Sequence, residues 1–145
     1  TDEVWDRILK TNLMGTWYMT RAAVEALRRD GGGCVIDTTS VAGVSQTGSS
    51  IPYAVSKAAI NHLTRLLANV LGPDVRVNAV APGLVDTPWT SAWETVRENW
   101  KRITPLQRSG TPADIAQVCV FLAEASYVTG QVIVADAGMT LRSPS

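Results

Sequence analysis

Tyr53, Lys57 and Ser40 are the residues of this 145-residue chain whose types and spacing could do chemistry. Tyr53 and Lys57 stand four apart in Ser50-Ile51-Pro52-Tyr53-Ala54-Val55-Ser56-Lys57, so a helix would put them on one face. Positive charge beside a phenol favours its ionised form, which lets such a pair give and take a proton near neutrality. Ser40 ends an apolar run upstream of Tyr53. The only histidine, His62, falls on the same helix but off the Tyr53/Lys57 face, and reads as an ordinary helix residue.

These side chains need elements to hold them. Pro52 suits the first turn of a helix that runs on through Ile60, Leu63, Leu67, Val70 and Leu71 and stops at Gly72-Pro73. Cys34-Val35-Ile36-Asp37-Thr38-Thr39 reads as a strand. Ser40 then lies at the C-terminal strand end, where open parallel sheets bind ligands. Val75–Val80 and Gln131–Val134 are further strands. Trp5, Ile8, Leu9, Leu13 and Trp17 predict a helix from Thr1 to about Asp30, with Asn12 towards its apolar side. A buried amide there could bond a loop or hold a water, and position alone does not choose. Trp89 to about Arg102 has helical propensity and three tryptophans, Trp89, Trp93 and Trp100, which either pack a core or cover an apolar ligand. Thr111-Pro112-Ala113-Asp114 opens a capped helix. Strands alternating with helices predict an α/β fold on a parallel sheet.

Thirteen basic and thirteen acidic residues cancel, and no basic run stands out, which argues against a nucleic-acid or anionic-membrane partner. The apolar stretches are too short to span a bilayer. Cys34 and Cys119 sit inside apolar runs and read as small buried thiols in a reducing compartment, the cytoplasm. With one histidine, no metal site is expected.

Five segments in order resemble the short-chain dehydrogenase/reductase family: Asn12-Leu13-Met14-Gly15-Thr16, Ser40-Val41-Ala42-Gly43, Tyr53-x-x-x-Lys57, Asn78-Ala79-Val80-Ala81-Pro82-Gly83 and Tyr127-Val128-Thr129-Gly130-Gln131. Within it, the chain is most similar to the bacterial single-domain type that includes ketoacyl-carrier-protein reductases. The resemblance implies a Rossmann-like doubly wound parallel sheet and hydride transfer between NAD or NADP and a small carbonyl/alcohol substrate. It implies a catalytic set of Asn12, Ser40, Tyr53 and Lys57. Tyr53 would be the general acid/base, Lys57 would assist it and hold the nicotinamide ribose, Ser40 would bind the substrate oxygen, and Asn12 would anchor a water. Pro82, Gly83, Val85 and Thr87 match the segment laid along the nicotinamide.

The family also carries an N-terminal half with a glycine-rich phosphate loop, and nothing here matches it. Gly31-Gly32-Gly33 follows a helix and lacks the strand-then-helix context. Residues 1–145 are therefore expected to be the C-terminal part of one dinucleotide-binding domain, with about three strands and little or no activity alone. A homodimer or homotetramer is expected of the full-length protein. The alternative is a non-catalytic oligomerisation or scaffold protein that keeps half the fold. In the closing Asp136-Ala137-Gly138, Ala137 stands where the family usually has Gly.

Overall fold

The computed structural model describes residues 1–29 and 31–141; Asp30, the expected end of the first helix, and the closing residues 142–145 lie outside it. The β-branched runs become β1 (Gly33–Thr38), β2 (Val75–Pro82) and β3 (Val132–Ala135), each within a residue or two of its expected bounds. They pair in parallel in the order β1-β2-β3, with Gly33 opposite Val75 and Ala79 opposite Val132. This is a partial Rossmann fold, as the sequence implied.

The centre strand explains the layering. Successive side chains of a strand point to opposite faces. Val75 and Val77 of β2 pack with Leu67, Ala68 and Leu71 of α3 (Ile51–Leu71), and with Trp17, Val24 and Leu27 of α2 (Gly15–Arg29). The alternate residues Arg76 and Asn78 serve the other face. Arg76 donates to the carbonyls of Leu122, Ala123 and Val128, capping the C-terminus of α5 (Pro112–Glu124). Asn78 is fully buried and stitches β2 to the turn before β3, donating to Val128 O and accepting from Gln131 N. On β1, Cys34 is half-buried rather than buried. That follows from its strand: among the described residues β1 pairs only with β2, and its other edge is open.

Two helices depart from expectation. The first is interrupted: α1 (Asp2–Leu9) and α2 are joined by a π turn over Lys10–Met14. Such single turns inside α-helices recur at functional sites, and this one contains Asn12. The tryptophan segment is not one helix from Trp89. Pro88–Thr90 forms a 3-10 turn and α4 spans Glu94–Ile103. The reason is local: the Thr90 hydroxyl donates to Val85 O and accepts from Thr87 N, offering the backbone partners that a helix would not. At Thr111 the capping box forms as expected, with Asp114 N donating to Thr111 Oγ1 and Thr111 N to Asp114 Oδ2.

Ala137 has φ +58°, in the left-handed region. That accounts for the family's preference for Gly. An L-residue there costs about 1–2 kcal/mol, offset in part by the greater chain entropy Gly loses on folding, roughly 0.5–1 kcal/mol. Ala137→Gly is expected to stabilise the fold by up to about 1 kcal/mol, read as a higher midpoint in urea unfolding.

Candidate active site

The site is built where β1 and β2 end and α3 begins. Ser50 caps α3, its hydroxyl accepting from Tyr53 N at 3.4 Å, and Pro52 occupies the first turn. Tyr53 and Lys57 follow on one face, with the Lys57 ammonium 5.7 Å from the centre of the Tyr53 ring. That ammonium donates to Thr38 O at 3.0 Å, which ties the helix to the last residue of β1. Ser40 begins a short 3-10 turn, Val41–Gly43, and its hydroxyl accepts from Ala42 N at 3.1 Å. The Tyr53 phenol has no hydrogen-bond partner among the described residues.

Ser40, Tyr53, Gly83, Val85 and Thr87 line one cleft of about 540 Å³. Lys57, Asn12 and Pro82 are not among its lining residues; the Lys57 ammonium lies over the Tyr53 ring. Thr87 is engaged with Thr90, hydroxyl to hydroxyl at 3.3 Å. Gly83 is closely packed: a Cβ there would lie 2.5 Å from the Trp100 ring and 2.9 Å from Asp136 Cα. Asn12 reaches the site indirectly. Its amide nitrogen donates to the Ser56 hydroxyl at 3.0 Å, and that hydroxyl donates to Tyr53 O at 2.7 Å. The amide therefore braces the Tyr53 turn and does not meet Lys57.

Three residues of the site had no role in the sequence reading. Ser56 is the fully buried link just described. Gly43 lets the Ser40 turn rest on α3, its carbonyl accepting from Asn61 Nδ2 at 3.1 Å. Asp37 is a buried carboxylate on β1 that accepts from the Thr64 hydroxyl at 2.9 Å. A charged residue inside a β-branched run was a visible signal for it.

Burial pushes the Asp37 carboxyl above its ordinary value, against the pull of the Thr64 hydroxyl and the Lys57 charge. Burial likewise pushes Lys57 down, and the Asp37 charge partly restores it. The consequences for stability have a definite sign. With its folded value raised, Asp37 keeps its proton in the native state where the unfolded chain has lost it. Stability therefore falls as pH rises from the ordinary carboxylate range through the raised value, and stays lower above it. With its value depressed, Lys57 weakens the fold below that value and ceases to do so as pH rises towards 10.5. Near neutrality both charges are held at a cost. Asp37→Asn is expected to abolish the fall in stability as pH rises above the ordinary carboxylate range, measured by thermal melts across that range.

The cleft suits the nicotinamide end of a dinucleotide. Tyr53 and Ser40 keep hydrogen-bonding capacity there, and the Val85 N–H has no protein acceptor among the described residues. No glycine-rich strand–turn–helix suited to a pyrophosphate occurs among the described residues. No group of three or more His, Cys, Asp or Glu among them could hold a metal ion, and no helix is long and apolar enough to cross a membrane.

A family described as Enoyl-(Acyl carrier protein) reductase matches residues 1–140. The Bacillus subtilis short-chain dehydrogenase/reductase homolog YusR is 38% identical over 129 residues, which cover 89% of this chain and all of that protein. The chain belongs to the short-chain dehydrogenase/reductase family. Ketoacyl reductase 2 of the granaticin polyketide synthase from Streptomyces violaceoruber is 49% identical over 144 residues, 97% of this chain but 58% of that protein. A Brucella melitensis 3-oxoacyl-[acyl-carrier protein] reductase, solved with bound NAD, superposes with a TM-score of 0.88 at 36% identity, over 96% of this chain and 53% of that one. The chain thus spans little more than half of those two members of this oxidoreductase family.

Proposed function

We propose that the chain carries the catalytic residues of an NAD- or NADP-dependent oxidoreductase acting on a carbonyl/alcohol pair. The observation that supports this most is the shared cleft: the Tyr53 phenol, with no partner among the described residues, and the Ser40 hydroxyl line it together, with the Lys57 ammonium 5.7 Å from the phenol ring. A bound nicotinamide would supply or accept the hydride. Tyr53 gives its phenolic proton to the carbonyl oxygen during reduction and takes it back during oxidation. Ser40 donates a hydrogen bond to the same oxygen and orients it. Lys57 keeps positive charge beside the phenol and, with Tyr53, holds the ribose. Val85 N–H and Thr87 would hold the nicotinamide carboxamide, beside the Pro82-Gly83 turn. Asn12 acts through Ser56 as a positioning residue. A held proton donor of this kind contributes about 10²–10⁴-fold to rate.

On this reading residues 1–145 form the C-terminal part of one dinucleotide-binding domain, and the chain alone turns over little substrate because nothing among its described residues holds the pyrophosphate. The completed protein works in the cytoplasm as a homodimer or homotetramer, on a small molecule rather than on nucleic acid or membrane. The test is a chimaera in which the part of the Streptomyces relative outside the match is joined ahead of Thr1. It should oxidise NADH or NADPH in the presence of a ketone, whereas the chain alone should not. A chimaera that binds cofactor yet reduces no ketone would count against the reading.

A further inference from the structure

Part of the cleft lining is aromatic, and none of it is charged. Trp89 and Trp93 stand with ring centres 4.9 Å apart and planes tilted by 57°, next to Trp100, Val96 and Leu84. Among the described residues lining the cleft there is no Asp, Glu, Lys, Arg or His. The nearby cations of α4 are already engaged: Arg97 with Asp86 at 2.8 Å and with Thr90 O, Lys101 with Glu98 at 2.8 Å, and Arg102 with Asn99 at 3.0 Å. A substrate carboxylate or phosphate entering here would lose water and find no counter-charge in the lining, since the Lys57 ammonium lies outside it and donates to Thr38 O, and that is costly. Trp89 meanwhile lies 69% exposed at the rim, a large aromatic face with little covering it. A cleft of about 540 Å³ with this lining matches the usual form of small-molecule sites, mainly apolar and aromatic with a few placed polar groups.

We infer that the carbonyl compound taken by this cleft is uncharged and carries an aromatic ring that lies against Trp89 and Trp93, while anionic oxo acids are rejected. This deepens the proposed function and rests on it only for the word substrate, because the ring contact is a matter of binding. Tyr53 and Ser40 hold the carbonyl end, and the tryptophans hold the other. Aromatic pairs contribute about 0.5–1.5 kcal/mol beyond their buried area, which corresponds to roughly two- to thirteenfold in affinity.

The test is calorimetric titration of the chain with three ketones of one skeleton: benzylacetone, its cyclohexyl analogue, and benzylpyruvate, in which a carboxylate replaces the methyl group. Benzylacetone should bind best, about two- to thirteenfold tighter than the cyclohexyl ketone, with benzylpyruvate weakest. Trp89→Leu, at an exposed position that the fold does not depend on, should remove most of the preference for the aromatic ring. Equal binding of the aryl and cyclohexyl ketones, benzylpyruvate as the tightest ligand, no binding of benzylacetone, or an aryl preference untouched by Trp89→Leu would each overturn the inference. Binding in the expected order by a chimaera that reduces none of the ketones would leave this inference standing and remove the redox reading.

Discussion

Tyr53→Phe in the chimaera is expected to lower ketone reduction by about 10²–10⁴-fold while leaving the fold intact. The phenol makes no hydrogen bond within the described protein, so its loss leaves no buried partner unsatisfied. Tyr53 is also only half-buried, and Phe keeps its ring. What disappears is the proton that must reach the carbonyl oxygen as the hydride arrives at carbon. Steady-state rates with matched unfolding curves check this. A Tyr53→Phe protein with near-normal turnover would move the acid to another group. Cofactor affinity should fall far less than turnover, because on the proposed reading Lys57, Val85 and Thr87 would still hold the nicotinamide end.

A large stability effect is expected at Gly43. A Cβ on this residue would lie 2.7 Å from Lys57 C and 2.8 Å from Ala58 N, both main-chain atoms of α3 that cannot swing aside. Gly43→Ala must therefore lift the turn bearing Ser40 off the helix bearing Tyr53, or bend that helix. Overpacking of this kind costs about 1–3 kcal/mol. It also widens the gap between the two hydroxyls that must meet one carbonyl oxygen, so activity should fall beyond what the stability loss explains. Urea unfolding gives the first quantity, and turnover measured well below the unfolding midpoint gives the second. Gly15, which a Cβ would bring no nearer than 3.8 Å to a main-chain oxygen, is the control position.

Much of this architecture was legible from residue types because the signals were local. β-branched runs bounded by turn residues marked all three strands, and Pro52, and Pro112 with its capping Thr111, marked two helix starts. The catalytic candidates were legible for a related reason, since Tyr53 and Lys57 need only a helix to share a face. What stayed hidden depended on packing between distant segments. The π turn at Lys10–Met14 has no composition of its own, and the Asn12–Ser56 bond that accompanies it joins residues 44 apart in the chain. The helix expected from Trp89 fails because one threonine hydroxyl, Thr90, turns back to Val85 O, a competition that propensity does not weigh. Asp37 was visible as a charge in a strand, but its closeness to Lys57 follows only once β1 lies under α3.

The central claim is that a phenol and a hydroxyl from two different elements converge on one substrate oxygen. The crystal structure of the chimaera with nicotinamide cofactor and benzylacetone tests it most directly. The ketone oxygen should lie about 2.6–3.2 Å from both Tyr53 Oη and Ser40 Oγ, with the phenyl ring towards Trp89 and Trp93. A ketone seated with its oxygen away from both hydroxyls would contradict the account.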